Sequence, residues 1–364
     1  MHDHKIDGDC VLPVGVANQG ALKHEGDEKN KADHAQENVS FPPVSLPVTG
    51  PPFYFDLTTL AEQDSCLLPF IRGSPPSYSF RLPGATAAAT TAILRHHFNI
   101  ALYLPPHYLV PTVPSRLQYL QWALSLLKLD GEGDSTTAYY KGKKRHYIYD
   151  IGTGSSCIFP LLAARILPQN FHIFATEVST DSITAARRNI DANLLSDRIA
   201  LFQPQSVTSN LLPVPLTTIP PLVVVCNPPF YENETAIGSR FARRRKHRQQ
   251  KGSGVETLRK IEKASARGRV DAKNHELITP GGEVRFIERI LGTSVRLREV
   301  HNTWWTSLIG KKKDIAAIKK CFNEVDKLIR DVRFERVHWE GNTARWAVAW
   351  RVKEKIDDDT ADPT

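Results

Sequence analysis

The stretch HYIYDIGTGSSCIFPLLAARIL, residues 146–167, decides the predicted fold, because it places a buried strand, a glycine turn and a helix in succession. Asp150 stands at the end of the strand, and Gly152 and Gly154 follow it in the turn. Glycines at this place let the backbone approach a ligand at the carboxyl edge of a parallel sheet. Cys157 stands where the dinucleotide-binding pattern Gly-x-Gly-x-x-Gly has its third glycine, so that fingerprint is incomplete.

The next apolar run, FHIFATEV at 171–178, predicts a second strand whose last acid is Glu177. An acid about 20 residues beyond the glycine turn binds ribose hydroxyls in dinucleotide and adenosine sites alike. The two glycines alone are also compatible with a turn that has a purely structural role. A cofactor that contains a nucleoside is predicted by the whole succession of a strand, the glycine turn, a helix and a second strand that ends in Glu177.

A third apolar strand ends in an unusual way, in VVVCNPPFYENET at 223–235. A residue before proline is held in an extended conformation, so we expect Asn227 to be extended at the edge of the sheet. Pro228 has no N–H to donate and Pro229 stiffens the turn, which leaves the Asn227 side-chain oxygen and the Pro228 carbonyl as fixed acceptors. Such a pair suits a planar amino group with two hydrogens to donate.

This strand end favours methylation of an amino group conjugated to a purine base. Accepting both hydrogens stabilises the positive charge that develops on the nitrogen, which combines positioning with electrostatic preorganisation. Phe230, with Tyr231 as a second candidate, offers a stacking face for the base. A strong base and a metal are not required, since the methylated amine sheds its proton readily. A stiff turn without chemical function is the alternative interpretation.

Strands that alternate with helices predict an α/β domain with a parallel sheet and helices on both faces, over residues 145–352. Within it, residues 313–332 predict one amphipathic helix, and two strands follow around Gly341 and Asn342. We expect the tryptophans 304, 305, 346 and 350 in the core. The segments expected to lie outside the packed parts are a disordered tail at 1–50, a linker at 130–144, a basic insert at 240–273 and a loose tail at 353–364.

Residues 51–130 predict a small, mostly helical N-terminal module. Its expected elements are a helix at 86–98, a strand at 100–105 and a helix at 111–129. Prolines open the second helix, and Ser115 is its expected cap.

The chain carries a net charge of +8, and the surplus is concentrated in the basic insert. The insert holds 13 Lys and Arg against three Asp and Glu, whereas the rest of the chain holds 34 against 36. Contact with RNA or a nuclear-import signal is the functional interpretation, and a solvated loop is the alternative. The insert residues expected to contact RNA are Arg243, Arg244, Arg245 and Lys246.

Five cysteines stand far apart, at positions 10, 66, 157, 226 and 321, without a Cys-x-x-Cys pair. This pattern predicts free thiols in a reducing compartment, and we expect no metal site. The sequence has neither a signal-peptide pattern nor an apolar run of 18 residues, so we expect no membrane span. The nucleus is the expected location, with the cytoplasm as the alternative, and we expect a monomer.

Several motifs resemble one family, which joins bacterial 23S ribosomal RNA adenine-N6 methyltransferases of the RlmF type with eukaryotic methyltransferase-like protein sixteen. They are LVPTVPSRLQYLQW, DIGTGSSCIFPLL, FATEV, NPPF, PGGEVRFIERI, LIGKK and GNTARWAVAW, between residues 78 and 352. The resemblance implies a Rossmann-like class I methyltransferase fold with a seven-stranded mixed sheet and a small N-terminal helical module. It also implies S-adenosyl-L-methionine as cofactor and N6-methylation of an adenosine in a structured RNA, with U6 small nuclear RNA as substrate.

The resemblance implies roles for single residues at the cofactor. Arg116 would contact the cofactor carboxylate, Glu177 would hold the ribose hydroxyls, and Ser206 or Val207 would touch the adenine. The other residues expected at the cofactor are Asp150, Gly152, Gly154 and Asn227.

On the substrate side, Asn227, Pro228 and Phe230 would hold the target adenine, with Pro229 in the same catalytic turn. A salt bridge is the alternative role for Arg345. The residues expected to contact RNA outside the insert are Lys311, Lys312 and Arg345.

Two departures from the family limit what the resemblance implies. Residues 40–56 contain no Lys or Arg, whereas the eukaryotic relatives carry a basic segment before the first helix. The chain also ends soon after the predicted domain, so we do not expect the roles of an additional C-terminal RNA-binding region.

Three other functions are compatible with parts of the sequence. A protein glutamine N5-methyltransferase would also use an Asn-Pro-Pro turn, but the basic insert argues against a protein substrate. The intact Asn227 argues against a catalytically silent RNA-binding protein. Cys157, in place of the third glycine, argues against an NAD oxidoreductase.

Overall fold

A computed structural model describes residues 55–127, 144–204, 212, 219–235, 274–297, 300–340 and 343–354. All of these residues belong to one compact unit, residues 43–364. The predicted tail at 1–50, most of the linker, most of the C-terminal tail, the basic insert and Ser206 lie outside the described residues. Among the helices that the structure describes, none is long and apolar enough to cross a membrane.

The N-terminal module is mostly helical. Its elements are α1 (Leu57–Gln63), a 3-10 turn (Ser65–Phe70), β1 (Ile71–Arg72), β2 (Ser77–Tyr78), α2 (Ala85–Phe98) and α3 (Val113–Ser125). The prediction that Ser115 caps α3 is wrong, because the helix begins at Val113 and Ser115 is buried within it. Pro114 explains the earlier start, since a residue without an N–H fits the first turn of a helix.

The central sheet has seven strands, in the spatial order β5-β4-β3-β6-β7-β9-β8. The strands are β3 (His146–Ile151), β4 (Phe171–Thr176), β5 (Ile199–Phe202), β6 (Val223–Cys226), β7 (Trp304–Ile309), β8 (Ile329–Glu340) and β9 (Thr343–Val352). Neighbouring strands from β5 to β7 are parallel, whereas β9 is antiparallel to both β7 and β8. The predicted α/β fold with a seven-stranded mixed sheet is confirmed.

The helices of this domain connect the strands. They are α4 (Ile158–Ile166), α5 (Thr180–Ala192), α6 (Asn274–Leu277), α7 (Gly282–Arg296) and α8 (Ile315–Asn323). The single helix predicted over 313–332 is wrong, because α8 ends at Asn323 and residues 329–332 belong to β8. Ile329 pairs with Val352 of β9, so the sheet takes up residues whose apolar spacing also suits a helix.

The strand predicted at 100–105 is also wrong, because a side chain of α5 and the side chain of the residue that follows α5 take the place of a neighbouring strand. Asn193 accepts a hydrogen bond from the N–H of Ala101 at 2.8 Å and donates one to its carbonyl at 2.7 Å. Asn189, one turn earlier, pairs with Tyr103 in the same way, at 2.7 and 3.1 Å. These bonds join the N-terminal module to the sheet domain.

Apolar side chains are buried on both faces of the sheet, since successive strand residues point to opposite sides. Trp304 belongs to the cluster that includes α2, α3 and α4, whereas Trp305 and Trp350 belong to the cluster that includes α7 and α8. These three tryptophans are buried, as predicted. Trp346 is partly buried and packs against the second cluster.

We expect Asn189→Ala to lower the free energy of unfolding by about 2 kcal/mol or more, because buried backbone groups of Tyr103 and Ser155 lose their partner. Urea unfolding followed by circular dichroism measures the change. Asn323→Ala, at an exposed position at the end of α8, is the matched control and should change the stability by less than about 0.5 kcal/mol. Equal effects of the two substitutions would contradict the proposed pairing.

Candidate active site

The carboxyl ends of β3, β4 and β6 meet at one edge of the sheet, where the strand order changes direction between β3 and β6. Ligands of open α/β sheets bind at such a switch point. A cavity of about 910 Å³, part of it open to solvent, lies there. The predicted cofactor residues that line this cavity are Arg116, Gly152, Gly154, Glu177 and Asn227.

The glycine turn after β3 has the backbone conformation that its sequence requires. Gly152 and Gly154 both have positive φ, at 71° and 66°, which other residues rarely adopt. A methyl group added to Gly152 would meet no atom within 4 Å, so this side of the turn is open to a ligand. Cys157 also has a positive φ of 52° and precedes the first residue of α4.

Glu177 is held at the end of β4 by two backbone groups. Its carboxylate accepts hydrogen bonds from the N–H of Gly154 at 3.0 Å and from the N–H of Ser179 at 2.9 Å. A carboxylate has about four acceptor sites, so two remain for the hydroxyls of a ribose. The geometry is compatible with the predicted role, which stays a prediction.

Asp150 is buried in β3, with 1% of its surface exposed, and it is not among the residues that line the cavity. Burial raises the pKa of this carboxyl to about 7, an effect that the neighbouring Thr153 hydroxyl opposes and the charge of Glu177 increases. Neither of its oxygens has a hydrogen-bond partner among the described residues. Its predicted contact with a cofactor therefore stays a prediction.

Arg116 brings a positive charge to the cavity from the first turns of α3. Its Nη1 donates a hydrogen bond to the Ser115 hydroxyl at 3.5 Å. Burial and the repulsion from Arg345 lower the pKa of Arg116 to about 10, which leaves the guanidinium charged at neutral pH. No carboxylate of the described residues pairs with it, so the cavity can accept the carboxylate of a ligand here.

The strand-end turn places an unsatisfied acceptor against the cavity. Asn227 and Pro229 both contribute to the cavity wall. The Asn227 Oδ1 atom is buried and, among the residues that the structure describes, no donor reaches it. A buried acceptor without a partner costs about 1–3 kcal/mol, which a donor on a ligand in the cavity would offset.

A tyrosine that the sequence analysis did not identify holds the strand just before Asn227. The hydroxyl of Tyr119 accepts a hydrogen bond from the N–H of Cys226 at 3.1 Å and lies 2.7 Å from the Thr306 hydroxyl. Tyr119 stands three residues after Arg116, so both side chains lie on one face of α3. This spacing was the only signal in the sequence.

Phe230 packs against a glycine of the β7 end. A methyl group added to Gly310 would overlap the Phe230 ring, so only glycine permits this position of the ring. The N–H of Gly310 donates to the Glu283 carboxyl at 2.7 Å. Burial raises the pKa of Glu283, and the nearby Asp314 raises it further.

The second candidate for stacking, Tyr231, is buried and takes part in backbone pairing. Its N–H donates to the carbonyl of Leu277 at 2.9 Å, and its carbonyl accepts from the N–H of Thr279 at 2.9 Å. Its ring is therefore held against the segment that follows the insert, and Phe230 remains the better candidate.

The predicted RNA-contact residues occupy different environments. Lys311 donates a hydrogen bond to the carbonyl of Phe230 and lies 3.7 Å from Asp314, so it contacts the Asn-Pro-Pro-Phe turn directly. Lys312 is exposed, with its ammonium 6.0 Å from the Trp346 ring. Arg345 is partly buried and close enough to Arg116 to affect its pKa. The basic residues at 243–246 lie outside the described ranges.

Glu276 is a second residue that the sequence analysis missed. It stands on α6, three residues after the basic insert, and its side chain lines the cavity. The sequence gives no signal for this position, because 121 residues separate Glu276 from its partner Ser155. Within the described ranges, no group of three His, Cys, Asp or Glu side chains could hold a metal ion.

The fold is that of a class I methyltransferase. Its defining features are the order of the seven strands, the glycine turn, the acid after β4 and the Asn-Pro-Pro-Phe end of β6. Residues 54–354 match a family model described as RNA methyltransferase, and the chain belongs to this family.

Relatives of known activity match in sequence. The mouse RNA N(6)-adenosine-methyltransferase METTL16 is 32% identical over 284 residues, which cover 77% of this chain and 45% of the mouse protein. The Schizosaccharomyces pombe U6 small nuclear RNA (adenine-(43)-N(6))-methyltransferase is 32% identical over 262 residues, covering 71% of this chain and 58% of that protein. The chain thus spans about half the length of the curated relatives that it matches.

Solved structures of human proteins share the fold. The Mettl16 catalytic domain in complex with MAT2A 3′UTR hairpin 1 matches with a TM-score of 0.61 and 25% identity, covering 83% of this chain and 94% of that one. The N-terminal domain of METTL16 in complex with SAH matches with a TM-score of 0.59 and 26% identity, covering 82% and 94%.

We expect Gly310→Ala to displace the Phe230 ring and to lower methylation of RNA by about tenfold or more, since stacking on one base contributes about 1–3 kcal/mol. Binding of S-adenosylhomocysteine, measured by calorimetry, should stay unchanged. Gly292→Ala in α7 is the matched control, because its methyl group would make only an ordinary contact at 3.7 Å. Full activity of Gly310→Ala would show that the ring position is irrelevant.

Proposed function

We propose that the protein is an S-adenosyl-L-methionine-dependent RNA N6-adenosine methyltransferase, with U6 small nuclear RNA as substrate. The observation that carries this proposal is the buried, unpartnered Oδ1 atom of Asn227 at the cavity wall. It provides an acceptor for an amino group at the edge where a nucleoside cofactor would bind. Membership of the RNA methyltransferase family supports an RNA substrate.

The residues around the cavity fit the proposed cofactor, which supplies an activated methyl group on a sulfonium. The charged Arg116 suits the cofactor carboxylate, and the free acceptor sites of Glu177 suit the ribose hydroxyls. The open side of Gly152 leaves room for the methionine portion. The match to a human structure in complex with SAH supports the same assignment.

In the proposed mechanism, the chain positions the adenine amino group and stabilises its developing charge. Asn227 Oδ1 and the Pro228 carbonyl accept the two hydrogens of the amine, and Pro229 limits movement of the turn. Phe230 stacks on the base. The bond from the Cys226 N–H to Tyr119 fixes the strand immediately before this turn, which keeps the acceptors in place.

The substrate proposal depends on the relatives and on charge. Proteins named as U6 small nuclear RNA methyltransferases match from S. pombe and Caenorhabditis elegans. A net charge of +10 in the insert at 240–273 would favour a polyanion, and the exposed Lys312 and the partly buried Arg345 would extend the contact. We propose the nucleus as the location, since the spliceosomal RNA is there, and a monomer as the active form.

A direct test is incubation of the protein with U6 RNA and a labelled methyl donor, followed by digestion of the RNA to nucleosides. The proposal expects label in N6-methyladenosine. Ribonuclease treatment of a cell extract before the reaction should remove the acceptor. Labelled protein after ribonuclease treatment would instead favour the glutamine methyltransferase, and the absence of any labelled product would reject both enzymes.

We expect Asn227→Ala to lower methyl transfer by about 100-fold or more, because one of the two acceptors for the amine is lost. RNA affinity, measured by fluorescence anisotropy, should change by less than about twofold. Asn233→Ala, at an exposed position of the same segment, is the control and should keep normal turnover. Turnover that persists in Asn227→Ala would disprove the proposed mechanism.

We expect deletion of residues 240–260 to weaken RNA binding and to flatten its dependence on salt. Each phosphate contact contributes about 0.7 to 0.9 to the slope of log K against log salt concentration, so a deletion that removes contacts reduces the slope. Anisotropy titrations at several salt concentrations measure it. A deletion of the acidic segment 357–364 is the control, and equal slopes for both deletions would make the insert an inert loop.

A further inference from the structure

Glu276 presents an oriented carboxylate to the cavity. Its Oε2 atom accepts a hydrogen bond from the N–H of Leu109 at 2.7 Å, and Oε1 accepts one from the Ser155 hydroxyl at 3.2 Å. A methyl group added to Gly154 would lie 3.6 Å from Oε1, so the carboxylate stands directly beside the glycine turn. Two bonds from two separate segments therefore fix its direction.

Glu276 completes a charge pattern at the cavity wall. The charged residues among the described lining are Arg116, Glu177 and Glu276, which together carry one net negative charge. Burial and the charge of Glu177 raise the pKa of Glu276. A positive group of a ligand would lower the pKa of Glu276 again, because an opposite charge nearby favours the ionised carboxylate.

The proposed methyl donor has the complementary pattern. It carries a carboxylate, an α-ammonium group and a sulfonium, for a net charge of +1. Arg116 suits its carboxylate and Glu177 suits its uncharged ribose, which leaves the ammonium without a charged partner. The glycine turn, where the methionine portion is expected, is the part of the wall that Glu276 adjoins.

We propose that Glu276 binds the α-ammonium group of the cofactor, an inference that rests on the function proposed above. Arg116 would then pair with the carboxylate of the cofactor and Glu276 with its ammonium, so that the two side chains hold the two charged groups of the amino-acid portion. The same segment pairs with Tyr231, directly after the catalytic turn, through the bond from its N–H to the Leu277 carbonyl. Glu276 thereby connects cofactor binding with the position of that turn.

A purely structural role predicts a different result, and Glu276→Gln separates the two. The glutamine side chain keeps an oxygen that can accept from Leu109 and an amide group that can donate to the Ser155 hydroxyl oxygen. It loses the bond from the backbone N–H of Ser155, and this loss affects both ligands equally. The substitution removes the charge and preserves the shape. Glu324→Gln, at an exposed position after α8, is the matched control.

The experiment measures calorimetric affinities of the full chain for S-adenosylhomocysteine and for its des-amino analogue. We expect Glu276→Gln to weaken binding of S-adenosylhomocysteine by about tenfold or more, as is typical for loss of a charge-assisted hydrogen bond, and to leave binding of the analogue within about twofold. In the wild type, removal of the amino group from the ligand should cause a similar loss. The two losses should not add, because they remove the same contact.

Equal weakening for both ligands would show that Glu276 acts only through Leu109 and Ser155, and an unchanged affinity for S-adenosylhomocysteine would show that it does not contact the ammonium. Either result overturns the proposal. If Glu276→Gln does not fold, the two ligands are compared on the wild type alone. The proposal then expects the des-amino analogue to bind about tenfold or more weakly, and equal affinities would overturn it. Failure of the proposed function is distinguishable from these outcomes. A chain that does not use this cofactor would bind neither ligand in the wild type, and a protein methyltransferase would bind S-adenosylhomocysteine but form no N6-methyladenosine in the U6 RNA assay.

Discussion

The hydrogen bond between the Tyr119 hydroxyl and the N–H of Cys226 is the contact on which the site depends. It joins α3 of the N-terminal module to the last residue of β6, directly before Asn227. Arg116 lies on the same helix, so one element sets both the positive charge of the cavity and the position of the Asn-Pro-Pro-Phe turn. The bond is buried, where removal of one partner leaves the other unsatisfied. The N-terminal module is thus part of the site.

The cavity wall comes from parts of the chain that are far apart in sequence. Asn189 joins Tyr103 of the N-terminal module to the carbonyl of Ser155 in the glycine turn. Glu276 joins the same turn to Leu109. Each polar side chain thus bridges two segments, and the geometry of the turn depends on both the helix α5 and the segment after the insert.

Short sequence patterns predicted those parts of the fold whose contacts are made by residues close together in the sequence. The strand, turn and helix around Gly152 are of this kind, as is the turn at Asn227. The strand predicted at 100–105 failed, because alternation cannot show that the partners are Asn189 and Asn193 instead of another strand. The sequence did not predict the roles of Tyr119 and Glu276 for the same reason. Cys226, a partner of Tyr119, is 107 residues away, and Ser155, a partner of Glu276, is 121 residues away.

The unpartnered Oδ1 atom of Asn227 also bears on the stability of the free protein. A buried acceptor without a donor lowers the folding free energy that the chain would otherwise have. A ligand that donates a hydrogen bond to this atom should raise the melting temperature, because it binds the folded state.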